Sequence, residues 1–199
     1  MIVTLALATR NAGKLAEFQE LLLPLDIAVR SLDDLGVADD VEETGATFAE
    51  NAALKAGAVA LATGLPALAD DSGLEVDALG GEPGVNSARW AGAVSAAERN
   101  SLLLQRLAAV PDARRGARFV CVLAVCHPGG ASAAARGEVS GRITRQPLGE
   151  GGFGYDPLFL LPDLGLTYAQ LTAQQKNGLS HRARALVALR PLLLSLFVR

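Results

Sequence analysis

A short apolar stretch, Leu65, Pro66, Ala67, Leu68 and Ala69, runs directly into Asp70, Asp71, Ser72 and Gly73. The apolar residues read as a buried strand, and Gly73 permits a sharp turn after it. Two adjacent carboxylates at a strand end repel each other unless a cation or a proton sits there, and a divalent cation is the usual answer. A chain with this feature must hold charged groups at the mouth of a sheet, where α/β proteins place their chemistry.

Strand and helix patterns interleave along the rest of the chain. Residues 2–9 read as a buried strand, and 13–23 as a helix with Leu15, Phe18 and Leu22 on one face. An acidic loop over 33–44 follows. Thr47 and Glu50 then form a capping box for a helix ending near Gly64. Leu74, Val76 and Ala78 alternate with Glu75 and Asp77 as a half-buried strand beyond the expected turn. Ser95 and Glu98 cap another helix reaching about Val110, and 118–127 is the most apolar strand. Residues 131–135 and 138–144 read as a hairpin or meander, 158–161 as a short strand, and a final helical region starts at Tyr168. Pro191 should kink or restart the last helix. The implied fold is α/β, a mixed sheet flanked by helices.

At 199 residues, half of them apolar, the chain fits one large domain or two lobes sharing a core. The net charge is −3 with no basic stripe, which argues against duplex nucleic acid as a partner. Cys121 and Cys126 are five residues apart in one expected strand. That odd spacing sends them to opposite faces, so they read as reduced thiols of a cytoplasmic protein. The N-terminal run lacks a basic region and reads as a strand rather than a signal peptide. The apolar run 186–198 is broken by Arg190 and Pro191, too short for a membrane span.

Five further segments carry chemical potential. Thr9, Arg10, Asn11, Ala12, Gly13 and Lys14 lead a strand end into a helix start, where free amides attract anions; ordinary capping by Asn11 is the bland alternative. Lys55, four residues after Asn51, falls inside the apolar stripe of its helix. It must snorkel or meet an anion, either an acid such as Asp71 or a phosphate. The segment 80–92 holds four glycines around Ser87 and Arg89, suited either to close approach of a ligand or to a surface loop anchored by Trp90. In the segment 151–157, Phe153 and Tyr155 stand between glycines, open to base stacking or plugging the core. Finally, His181 and Arg182 open a helix after Ser180, where cations oppose the helix dipole unless an anion is near; Lys176 lies just upstream.

In order and spacing, these segments and the Asp-Asp-Ser-Gly sequence resemble the inosine/xanthosine triphosphate pyrophosphatase family, the non-canonical purine nucleoside triphosphate pyrophosphatases. The resemblance spans nearly the full length. It implies a single pyrophosphatase domain over residues 1–199, an elongated mixed sheet with helices in two lobes, a central cleft, and a homodimer. It implies magnesium-dependent cleavage of dITP, ITP and XTP to the monophosphate and pyrophosphate, which keeps deaminated purines out of DNA and RNA. By the same resemblance, Thr9, Arg10, Asn11, Ala12, Gly13 and Lys14 hold the triphosphate, and Lys55 supports it. Asp71 is the proton acceptor and a metal ligand, with Glu43 and, less securely, Glu42 as further ligands. Ser72 touches substrate, Phe153, Gly154, Tyr155 and Asp156 enclose base and sugar, and Lys176, His181 and Arg182 read the purine edge. A donor aimed at the 6-keto oxygen would exclude ATP, because a buried donor left unpaired costs roughly 1–3 kcal/mol. Two other readings stand beside this one: a related pyrophosphatase preferring modified pyrimidines, and a nucleotide-binding regulator without catalysis.

Overall fold

The computed structural model describes residues 3–92 and 94–197. Ile2 and Val198, which bounded two expected segments, lie outside them. The described chain forms β1 (Val3–Leu7), α1 (Ala12–Leu22), β2 (Ile27–Ser31), α2 (Phe48–Thr63), β3 (Ala67–Val76), α3 (Ala96–Arg106), β4 (Gly116–Cys126), β5 (Ser132–Ile143), β6 (Phe159–Leu161), β7 (Leu166–Thr167), α4 (Ala173–Leu179) and α5 (His181–Phe197). The strands make one seven-stranded sheet in the order β2-β1-β3-β4-β5-β6-β7. It is mixed, as expected: β1 pairs in parallel with β2 and β3, whereas β6 pairs antiparallel with β5 and β7.

The chain divides into two compact units. One comprises the residues up to Asp71, Cys121–Gly137 and those from Arg182 onward; the other comprises Ser72–Val120 and Glu138–His181. In the first unit, Phe18 and Leu22 of α1 are fully buried with Leu5, Leu7, Leu68, Leu123, Leu186 and Leu189. Each such side chain contributes about 1.5–3 kcal/mol by leaving water. In the second unit, Leu103 and Leu107 join Leu74, Val76, Phe119, Phe159 and Tyr168. A buried guanidinium, Arg115, donates to the carbonyls of Leu107 (2.7 Å), Ile143 (2.9 Å) and Thr144 (2.8 Å), so the end of the α3 segment and the end of β5 share one donor.

Both expected capping boxes form, Thr47 with Glu50 and Ser95 with Glu98, and Gly64 ends the α2 segment in a left-handed conformation. Three expectations need correction. The Asp70–Gly73 turn does not exist: β3 runs unbroken for 10 residues through it. Gly73 does not turn the chain, and each of the two carboxylates has a cation beside it, Lys14 for Asp70 and Lys55 for Asp71. The expected hairpin over 131–144 is one strand, β5, in which Gly137 is buried and neither Gly137 nor Gly141 takes a positive φ. β2 was missed, since five residues, four half-buried and Arg30 exposed, carry little periodic signal. The last helical region starts at Tyr168 as expected, with a 3-10 turn, α4 and then α5 opening at His181, and α5 runs through Pro191 without restarting there.

Glycine within β5 has a steric cause at one position. A Cβ on Gly141 would stand 2.5 Å from the Leu160 carbonyl oxygen and 2.6 Å from the Phe159 ring. Gly141→Ala is therefore expected to lower stability by about 1–3 kcal/mol in urea unfolding; an unchanged midpoint would show that β6 yields without cost.

Candidate active site

The sheet brings the expected residues into two clusters, one in each unit. In the first, the chain leaves β1 and reaches Asn11, whose backbone N–H donates to the Thr9 hydroxyl (3.2 Å) and whose side chain caps α1 by accepting from the Lys14 amide at 3.0 Å. The first turn of α1 holds no acid, so its amides and dipole remain available to an external anion. The Lys14 ammonium pairs with the Asp70 carboxylate. That carboxylate is fully buried and also faces Arg182 (Nε to Oδ2, 3.5 Å) and the Cys121 thiol, which donates to Oδ2 at 3.0 Å. Arg182 is held in turn by Glu17 at 2.9 Å. Burial opposes ionisation of Asp70, but the charges of Lys14 and Arg182 overcome it and hold the carboxyl well below the usual range.

Asp71 lives in different company. Successive strand residues point to opposite faces, and Asp71 meets α2 and the acidic loop rather than Lys14. Lys55 of α2 donates to Asp71 Oδ1 (3.0 Å), Glu43 Oε1 (2.6 Å) and the Asp70 carbonyl (2.8 Å). The buried Asn51 amide donates to Asp71 Oδ2 at 3.3 Å and accepts from the Gly45 N–H at 2.8 Å. Burial raises the Asp71 pKa above its ordinary value, with Lys55 pulling the other way. Burial likewise opposes the Lys55 charge, but Asp71 and Glu43 outweigh it and lift its pKa. Of the alternatives open for Lys55, the structure selects the acid partner.

Asp71 and Glu43 therefore converge on one positive charge. Two hard carboxylates around a cation suit magnesium, which takes one or two protein carboxylates and completes its shell with water and phosphate oxygens. Among the described residues no three His, Cys, Asp or Glu side chains form a ready metal cage, so further oxygens must come from elsewhere. Glu42 is exposed and does not join this pair. Arg10 is also corrected. Its guanidinium is committed to Asp33 (2.5 Å), Asp40 (2.7 Å) and the carbonyls of Val37 (2.5 Å) and Ala38 (3.0 Å), where it pins the acidic loop instead of facing outward as a phosphate ligand.

The second cluster gathers around the loop 151–157. Gly152 and Gly154 take positive φ of 71° and 62°, and a side chain on Gly152 would strike the Asp156 carboxylate. Asp156 accepts from the Phe153 N–H (2.8 Å) and from the Lys176 ammonium (2.5 Å), with both partners of the ion pair buried. Lys176 lies 4.8 Å from the Phe153 ring centre and 5.5 Å from that of Tyr168. His181, buried, stacks on Phe119 at 4.8 Å and 9°. Ser72, the half-buried residue after Asp71, belongs to this unit.

Tyr155, expected to enclose substrate, instead plugs the core. Its hydroxyl donates to the Ser87 carbonyl at 3.1 Å, and burial pushes its pKa up to about 12, with Arg99 opposing. Ser87 itself accepts from the Leu74 amide (2.8 Å) and donates to the Gly84 carbonyl (2.6 Å), so the loop 80–92 is tied to β3. Trp90 packs against the same core under Arg106, as the anchor reading held. Arg182, expected among the purine readers, belongs to the first cluster with Asp70 and Glu17. Sequence reasoning missed two residues: Cys121 as a donor to Asp70, and Asn100, a buried amide on α3 donating to the Gly154 carbonyl at 3.1 Å. Asn100 was findable, as a polar residue in line with Leu103 and Leu107.

Comparison with known proteins follows the same outline. The model of the Ham1 family matches residues 5–192. A Nocardia farcinica protein named dITP/XTP pyrophosphatase is 55% identical over 194 residues, covering 95% of this chain and 94% of its own. A Thermus thermophilus protein of the same name is 54% identical, covering 92% of this chain and 88% of its own. Among solved structures, a HAM1 protein from Coxiella burnetii superposes with a TM-score of 0.86 at 45% identity, covering 97% of this chain and 99% of its own. A nucleoside-triphosphatase / dITP/XTP pyrophosphatase from Mycobacterium abscessus gives 0.76 at 45% identity, covering 95% and 100%.

The Asp70 ion cluster has a measurable signature. A carboxyl whose folded pKa is depressed stabilises the fold above its unfolded pKa, and that stability is lost as pH falls through the ordinary carboxylate range, about 4, toward the folded value. Asp70→Asn leaves Lys14 and Arg182 without their shared anion. It is expected to cost about 3–5 kcal/mol at pH 7 and to flatten the acid limb of the Tm-versus-pH curve. Parallel curves for the two proteins below pH 5 would remove Asp70 from this role.

Proposed function

The chain belongs to the Ham1 family, and from that premise we propose that it hydrolyses non-canonical purine nucleoside triphosphates, dITP, ITP and XTP, to the monophosphate and pyrophosphate, with magnesium. In this reading it clears deaminated purines from the nucleotide pool and keeps them out of DNA and RNA. It works in the cytoplasm as a homodimer, without nucleic-acid or membrane partners, and residues 1–199 act as one pyrophosphatase domain. The two free cysteines accord with a reducing compartment, and among the described residues no helix is long and apolar enough to cross a membrane.

One observation carries the mechanism: a buried carboxylate, Asp71, is held by the Lys55 ammonium at 3.0 Å and the Asn51 amide at 3.3 Å. Such a group takes a proton from attacking water and stays correctly aimed while doing so. The amides of Ala12 and Gly13, the polar side chains of Thr9 and Asn11 and the charge of Lys14 bind the phosphates at the start of α1, where no acid opposes them. Lys14 is oriented for this by Asp70, and Arg182 and Cys121 keep Asp70 ionised and in place. Lys55 holds Asp71 and Glu43 together and supports the phosphate charge. Asp71 and Glu43 would hold the magnesium ion, which supplies charge neutralisation on the pyrophosphate leaving group when bound.

In the second unit, Ser72, Phe153, Gly154 and Asp156 enclose the nucleoside. The Phe153 ring offers a stacking face, and Asp156 fixes both that ring's backbone and the Lys176 ammonium. Lys176 and His181 are the donors proposed for the 6-keto oxygen. An adenine amino group cannot accept from them, so ATP leaves donors unsatisfied.

Incubation with dITP and magnesium should release pyrophosphate and dIMP; orthophosphate as first product would defeat the reading. Asp71→Asn should keep the fold and lower kcat by about 10²–10⁴-fold, the usual worth of a general base. Because the ionised carboxylate is the working form and burial raises its pKa, turnover should fall on the acid side as pH drops through that raised value, at a higher pH than an ordinary carboxylate would give. A rate in the wild-type protein that does not fall as pH drops through the carboxylate range would be incompatible with Asp71 as proton acceptor.

A further inference from the structure

Asn100, Leu103 and Leu107 follow one stripe of the α3 segment at the i, i+3, i+7 spacing. Both leucines are fully buried, and Asn100 is 7% exposed. Its Nδ2 donates to the Gly154 carbonyl at 3.1 Å, whereas no donor among the described residues reaches its buried Oδ1. A leucine at this position would continue the apolar stripe and leave no unmet acceptor. Stability alone therefore does not account for the amide, since an unsatisfied buried carbonyl is a net cost.

What the amide does is visible at its other end. Gly154, at φ 62°, stands between Phe153 and Tyr155. The loop is closed on itself by Asp156, whose carboxylate accepts the Phe153 N–H at 2.8 Å and whose N–H donates to the Phe153 carbonyl at 3.2 Å. Those bonds fix the loop's internal shape; outside it, Asp156 pairs with Lys176 of α4 and the Gly151 N–H donates to the Ala169 carbonyl at 3.0 Å, which leaves the turn at Gly154 to be placed by other groups. Asn100 attaches the loop at Gly154 to α3, and Tyr155 attaches it at the next residue to the Ser87 carbonyl.

We propose that Asn100 is a positioning residue for nucleoside binding: through the Gly154 carbonyl it sets where the Phe153 ring and the Asp156–Lys176 pair stand, and so how tightly the base is gripped. It touches no reacting atom. The inference rests on the reading of this loop as the enclosure of the nucleoside.

Two uncharged replacements test it, Asn100→Leu, which extends the apolar stripe, and Asn100→Ala, which removes the amide; if either fails to fold, the other stands alone. Amide hydrogen exchange of the free protein is read at Phe153, Asp156 and Leu158, with β4 as the internal reference. The expected result is exchange faster by about tenfold in the loop and unchanged in β4, the scale of one neutral hydrogen bond. The KM for dITP should rise by a similar factor, about tenfold, with kcat within about twofold of wild type, and Asn100→Leu should not lower Tm. A merely structural residue would lower Tm and leave KM alone. Loop exchange at the wild-type rate overturns the proposal, as does faster exchange with an unchanged KM. If the wild-type protein releases no pyrophosphate from dITP, the functional reading fails instead, and the exchange data still decide whether Asn100 holds the loop.

Discussion

Opposite-face alternation at two consecutive strand residues organises the first unit. Asp70 and Asp71 share a peptide bond, yet each is ionically compensated by a different set of cations: Lys14 and Arg182 for one, Lys55 for the other. Placed on one face they would have needed a shared cation or a proton, and β3 would have had to end there. On opposite faces they let the strand continue. One carboxylate becomes a permanently charged anchor, and the other is left poised in pKa between burial and its lysine. The difference in environment, rather than in chemistry, divides their labour.

Much of this architecture was legible in the chain. Interleaved periodicities announce an α/β fold, and the pairs Thr47/Glu50 and Ser95/Glu98 mark helix starts that form as expected. Lys55 is conspicuous because a cation in an apolar stripe needs an anion, and Asp71 is one of the anions the sequence offers. What stayed hidden depends on contacts far along the chain. Arg182 reaches Glu17 across 165 positions, and Cys121 reaches Asp70 across 51. Nothing local distinguishes those side chains from solvated or merely buried ones. The same blindness explains Arg10, whose charge is evident while its four acceptors in the acidic loop are not. It also explains Tyr155, whose flanking glycines suggest an open ring although its hydroxyl is already engaged.

In the second unit, order comes from polar groups embedded in apolar surroundings. Ser87, Asn100 and Asp156 each tie a glycine-containing segment whose backbone would otherwise sample many conformations. The glycines permit the tight geometry of the loop, and the buried polar side chains select one version of it. A stack of Tyr168, Phe119 and His181 adds a rigid floor, with Phe119 and Tyr168 parallel to within 1°. Two of the places where the chain passes from one unit to the other are Asp71–Ser72 and His181–Arg182. Each pair carries one residue of either cluster.

The Cys121 thiol contributes a final consequence. Burial and the negative charge of Asp70 both lift its pKa, with Arg182 opposing. Since the thiolate is the form that reacts with oxidants and electrophiles, this sulfur is a poor target for either. Cys126, on the opposite face of β4 and partly exposed, meets them first. Of the two sulfurs, the one that donates to Asp70 is the less accessible to an alkylating reagent or a peroxide. The burial and charge that Asp70 needs thus also shield the donor beneath it.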